Sequence, residues 1–127
     1  MKFMMLVKAT KDSEAGAPFN PELMAAIDKL SQEAVKAGTM LDAGGLLPSS
    51  QATRIHVAQG NTSVIDGPFA ETKELVGGYA IFDLKSKEEA VRMGKEFMQL
   101  HADILGKSYE GELEIRPMFG QPPQQRS

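Results

Sequence analysis

Five apolar residues in a row, Phe3-Met4-Met5-Leu6-Val7, stand between Lys2 and Lys8. A run of strand length with both alternating faces apolar predicts a strand covered on both sides. Residues 9–20 show no period and contain Gly16, Pro18 and Asn20, which predicts a loop. At about a dozen residues it is long for a connection in a compact domain, so it is expected to be mobile or functional. Asn20-Pro21 reads as N-cap and first helical residue, because Asn can accept an orphan amide and Pro lacks the donor that would be wasted there. Leu23, Met24, Ile27, Leu30, Ala34 and Val35 then recur at helical spacing, opposite Asp28, Lys29, Gln32, Glu33 and Lys36, and Gly38 supplies the stop.

The pattern over residues 39–50 is weak and predicts an irregular strand, with Gly44-Gly45 at a bulge or a close backbone approach. Residues 54–58 alternate, Gln59-Gly60-Asn61 supply turn chemistry and residues 62–65 return, which predicts a hairpin. Residues 66–74 are polar and broken by Gly67-Pro68, and they lead into a near-continuous apolar run over 76–82. Ser86-Lys87-Glu88-Glu89 matches a capping box, and Ala90, Met93, Gly94, Phe97 and His101 form the stripe of a second helix. Gly106 and Gly111 mark its end, after which Leu113 and Ile115 alternate with Glu112, Glu114 and Arg116 in a last strand.

The order is a βαββαβ plan with an extra hairpin: an α+β, ferredoxin-like fold with an antiparallel sheet and both helices on one face. The central strands of such a sheet are the first and third of the framework, and these are the two runs apolar on both faces. Helices cover one face only, so Met4, Leu6 and one side of the 76–82 strand need a second cover. Another copy of the sheet supplies it, which predicts a two-fold homodimer packed sheet against sheet, a dimeric α+β barrel. The domain is expected over residues 1–119, and residues 120–127, with almost nothing to bury, as a disordered tail.

Composition narrows the chemistry. With 127 residues, 42% of them hydrophobic, the chain can close one core without staples. The absence of cysteine excludes thiolate metal sites, thiol nucleophiles and redox disulfides. Fourteen basic against seventeen acidic side chains give a net charge of −3, no footprint for nucleic acid. No run approaches the roughly 20 apolar residues of a membrane span. The apolar run near the start is shorter than the roughly 7 to 15 residues of a signal-peptide core, so a cytoplasmic protein is expected. No dinucleotide fingerprint, P-loop or G-x-S-x-G is present, and two histidines far apart in sequence make no metal motif, so no cofactor and no metal are expected.

The stretch Asp66-Gly67-Pro68-Phe69-Ala70-Glu71-Thr72-Lys73-Glu74, continued through Gly77-Gly78-Tyr79, resembles the DGPF-motif branch of the YCII-related family. The likeness runs over about residues 1–119, through the Met-Lys-Phe-Met opening, Gly45-Leu46-Leu47-Pro48 and Glu114-Ile115-Arg116-Pro117. The resemblance implies a dimeric α+β barrel. It implies little about activity, since the branch is largely uncharacterised and often found near extracytoplasmic-function sigma factors, while the wider superfamily includes lactone isomerases and monooxygenases free of metal and flavin. A narrower branch is associated with a His and Asp pair, its His just after the proline that opens the first helix. Here that place reads Pro21-Glu22-Leu23-Met24, so the pair is not carried over.

Two readings follow. In the first, the chain is a small dimeric enzyme (an isomerase, lyase or cofactor-free oxygenase) acting on a small organic acid or ring compound. Asp66, Glu71 and Lys73 are its candidate catalytic residues, because a loop on a rigid sheet can aim charged groups into a cleft. His56, Tyr79 and Arg116 are its candidate ligand-binding residues. In the second, the chain is a non-catalytic ligand-binding or regulatory module, possible partner of a sigma factor, and the loop is structural: Asp66 caps a turn, Gly67-Pro68 sets its shape and Phe69 anchors it. Glu74 reads as a solvated side chain, and His101, continuing an apolar stripe, as a core or edge histidine.

Overall fold

A computed structural model of the chain describes residues 1–119; the tail expected over 120–127 lies outside them. Six strands and three helices follow in order: β1 (Lys2–Lys8), α1 (Lys11–Glu14), α2 (Pro21–Lys36), β2 (Met40–Gly45), β3 (Thr53–Ala58), β4 (Asn61–Asp66), β5 (Val76–Asp83), α3 (Lys87–Leu105) and β6 (Leu113–Pro117). Short 3-10 turns lie at Ser49–Gln51 and Thr72–Glu74. The main sheet is antiparallel with order β2-β5-β1-β6, and β3 and β4 form a separate two-stranded sheet. The two strands apolar on both faces, β1 and β5, are central as the pattern predicts, and the fold is α+β of ferredoxin-like form.

Local chemistry sets the helix ends. Asn20 Oδ1 accepts from the Leu23 amide at 2.9 Å and Pro21 opens α2. Gly38, with φ +76°, ends it. Ser86 Oγ accepts from the Glu89 amide at 3.2 Å, but the Glu89 carboxylate accepts from the Lys85 amide at 3.0 Å, one residue beyond the Ser86 amide that the capping box predicts. The expected loop over 9–20 contains the one-turn helix α1, where Thr10 and Ser13 cap each other. Val35, counted in the apolar stripe of α2, is left exposed at its last turn.

The core sits between the helices and one face of the sheet. Phe3, Met5, Phe82, Leu84 and Ala90 are buried there, with Phe3 at 1% exposure and Ala90 at 0%. Register shows how that face is graded. One row across the sheet is Met40, Phe82 and Phe3; the next is Ala43, Ala80, Met5 and Ile115; the last is Gly45, Gly78, Val7 and Leu113. On β2 and β5 the side chains therefore shrink from large to methyl to none along one direction, which leaves room between α2 and the floor toward the glycine end. The opposite face of the sheet carries Met4, Leu6, Tyr79 and Ile81, none of them fully buried.

Candidate functional site

The graded floor opens a cavity of about 700 Å³ between the helices and the sheet. Ala43, Gly45, Gly78 and Ala80 form its base, Leu23, Ile27 and Leu30 of α2 one wall, and Met93 and Phe97 of α3 another. Charged side chains stand around it as well: Asp28, Glu33, Glu89 and Glu96 against the single cation Arg92. His101 also borders the cavity and is 7% exposed. Its Nδ1 donates to the Phe97 carbonyl one turn earlier at 2.9 Å. Its ring packs against that of Phe97, centroids 4.8 Å apart, and that of Tyr109, 5.4 Å apart. Burial holds the Tyr109 hydroxyl above the usual phenol range.

The loop that follows β4 is organised by a different set of contacts. Thr53 Oγ1 donates to Asp66 Oδ1 at 3.1 Å, and the Gly67 amide donates to the Ala52 carbonyl at 2.9 Å. The peptide bond between Gly67 and Pro68 is cis. The Phe69 amide donates to Ser49 Oγ at 3.0 Å, while the Ser49 hydroxyl donates to Glu14 Oε1 at 2.5 Å and its amide to Glu14 Oε2 at 2.9 Å. Phe69 packs under the Arg54 guanidinium, 3.8 Å from the ring centroid, rather than in the core. Every residue of β3 and β4 is exposed, and a two-stranded hairpin is marginal alone. These contacts are what fasten its base to the 48–52 segment and to α1.

Ser49, 5% exposed, is the hub of that network, yet neither it nor Glu14 stands out in the sequence, since a hydroxyl and a carboxylate so far apart along the chain share no local period. Ser49→Ala removes the partner of one Glu14 carboxylate oxygen and of the Phe69 amide, so we expect a loss of about 1–3 kcal/mol in chemical denaturation. A loss below about 0.5 kcal/mol would show the hub to be unimportant.

Of the six candidate site residues, Asp66 is exposed and bonded to Thr53, and Glu71 and Lys73 are exposed at the 3-10 turn. His56 is exposed on the hairpin, opposite Ser63. Tyr79 and Arg116 share the open sheet face but keep separate partners. The Tyr79 hydroxyl donates to Asp42 Oδ2 at 3.4 Å, and Arg116 donates to Glu114 Oε2 at 3.1 Å. Lys8, 3.2 Å from the other oxygen, and then Arg116 hold the Glu114 carboxyl below the usual range. Of the six, Tyr79 alone lies along the cavity, as part of β5, while its side chain stands on the opposite face of the sheet. Among the described residues no cluster of three or more His, Asp or Glu could hold a metal ion, and no helix is long and apolar enough to cross a membrane.

The family model of the YCII-related domain matches residues 1–104, from β1 through almost all of α3. The chain belongs to the YCII-related family. It is also similar to an uncharacterized protein of Rhizobium meliloti (strain 1021), 29% identical over 96 residues that make up 76% of this chain and 73% of that one. The YCII-related match takes in the cavity floor, both helical walls and the 66–69 loop, so both features lie within the family domain.

Proposed function

We propose that this YCII-related chain binds a small, neutral, largely apolar molecule in the cavity between α2, α3 and the sheet, and that the 66–69 loop is structural. The observation that carries the reading is the graded floor. Protein interiors are close-packed, and two facing glycines, Gly45 and Gly78, leave room that a larger side chain on either would reduce. Four carboxylates against one guanidinium around the cavity disfavour an anion, so a ring compound fits better than an organic acid. The alternative centre on Asp66, Glu71 and Lys73 has less support, because all three side chains are exposed and none of them borders the cavity. A thermal-shift panel of neutral one- and two-ring compounds tests the reading. A true ligand at a hundred times its Kd adds about 2.7 kcal/mol of stability; no stabilisation across the panel rejects the cavity as a site.

The open sheet face supports a second copy as partner. Met4, Leu6, Tyr79 and Ile81 form its apolar centre, Asp42 lies at one side, and the Lys8, Glu114 and Arg116 ion-pair group at the other. Sheet-to-sheet packing about a two-fold axis would bury the centre of both copies. Light scattering at micromolar concentration should give twice the chain mass, and Ile81→Lys the mass of one chain with unchanged circular dichroism. A wild-type chain that scatters as a monomer overturns the dimer.

A further inference from the structure

We propose that His101 is the polar anchor of this cavity, its Nε2 accepting a hydrogen bond from a hydroxyl or N–H group on an otherwise apolar ring ligand. The inference rests on the cavity being a ligand site and adds the chemistry its ligand must carry.

A carbonyl oxygen can only accept, so the 2.9 Å contact between His101 Nδ1 and the Phe97 carbonyl places a proton on Nδ1. In the neutral ring Nε2 is then an acceptor. It has no partner among the described residues, although the side chain is 7% exposed and borders the cavity. A buried acceptor without a donor is costly, and buried polar groups normally find partners. The rings of Phe97 and Tyr109 pack against the imidazole, and the Nδ1 bond to the Phe97 carbonyl fixes its orientation. Among the described residues no donor meets Nε2, and the cavity that the side chain borders is where a ligand could bring one. The surrounding carboxylates at Asp28, Glu33, Glu89 and Glu96 select against a ligand that brings its own negative charge. A phenol-like compound meets both conditions: neutral, flat, and carrying one donor.

Three probes of one shape separate the possibilities: naphthalene has no donor, 2-naphthol has one, and 2-naphthoate is an anion. Binding to the full chain at pH 7 should rank 2-naphthol at least tenfold tighter than naphthalene, with 2-naphthoate the weakest. The 15N resonance of His101 Nε2, assigned against the exposed His56, should move with 2-naphthol and stay with naphthalene. His101→Phe should bring 2-naphthol down to the affinity of naphthalene, and His101→Gln, which keeps an acceptor, should restore part of the difference. Equal binding of naphthalene and 2-naphthol, or an unmoved Nε2 resonance with 2-naphthol bound, overturns the anchor while leaving the cavity a site. Failure of all three probes to bind overturns both. The ranking and the resonance are read on the wild-type chain, so they hold even where a His101 variant does not fold.

Discussion

Replacing Gly67 with alanine should cost about 3 kcal/mol of stability or more, at the upper end of what overpacking usually does. A Cβ at this position would lie 1.8 Å from the Ser49 carbonyl oxygen and 2.8 Å from its carbon. These are backbone atoms, and Ser49 is itself buried and held at its amide and hydroxyl by Glu14, so neither side can yield by a rotamer change. Relief requires parting the 66–69 loop from the 48–52 segment, which breaks the Gly67 to Ala52 and Phe69 to Ser49 hydrogen bonds together. Chemical denaturation of the variant measures the loss, and hydrogen exchange locates it. The amides of β3 and β4 should lose protection before those of β1 and β5, because the hairpin has little else to hold it. A loss under about 1 kcal/mol would mean that the close approach is not maintained in solution.

That result bears on what a short motif can mean. Asp66-Gly67-Pro68-Phe69 looks like a site because charged residues flank it and because the family resemblance runs through it. Asp66 accepts from Thr53, the Gly67 amide meets Ala52, and Phe69 carries Arg54. A structural loop was one of the two readings the sequence offered, but the contact of Ser49 with Glu14 at its base was not legible. Glu14 sits in a segment with no period, and Ser49 beside a proline in a weak stretch, so nothing local couples them.

The framework was more legible, because each element carries its own boundary chemistry. Asn20-Pro21, Gly38 and Ser86 act through bonds within a few residues, which is the range that sequence patterns can see. The two-faced apolar runs of β1 and β5 likewise report their central place directly. The cavity is different. It depends on which residues of β2 face the helices, and the register of β2 against β5 shifts between Met40 and Asp42. Without that shift strict alternation from Met40 would put Asp42 and Gly44, not Ala43 and Gly45, under α2. The glycine pairs suggested a bulge or a close approach, but only the pairing of Gly45 with Gly78 shows an open floor.

Gly45→Leu should therefore abolish ligand binding while leaving the chain as stable as before or slightly more so. A Cβ on Gly45 meets no atom within 4 Å, and its backbone is not in the left-handed region, so a side chain is accepted without strain. Its pairing with Gly78 directs that side chain to the helix-facing row, into the cavity beneath α2. Glycine in a strand costs roughly 0.5–1 kcal/mol relative to alanine, so the substitution should raise the melting temperature by a few degrees. Any neutral ring compound that stabilises the wild-type chain should bind the variant at least tenfold more weakly. The opposite signs matter, because a variant that loses binding through damage to the fold also loses stability. A stabilised chain that no longer binds has lost only the space. If Gly45→Leu binds such a compound with wild-type affinity, the ligand lies elsewhere and the graded floor is a packing defect rather than a site.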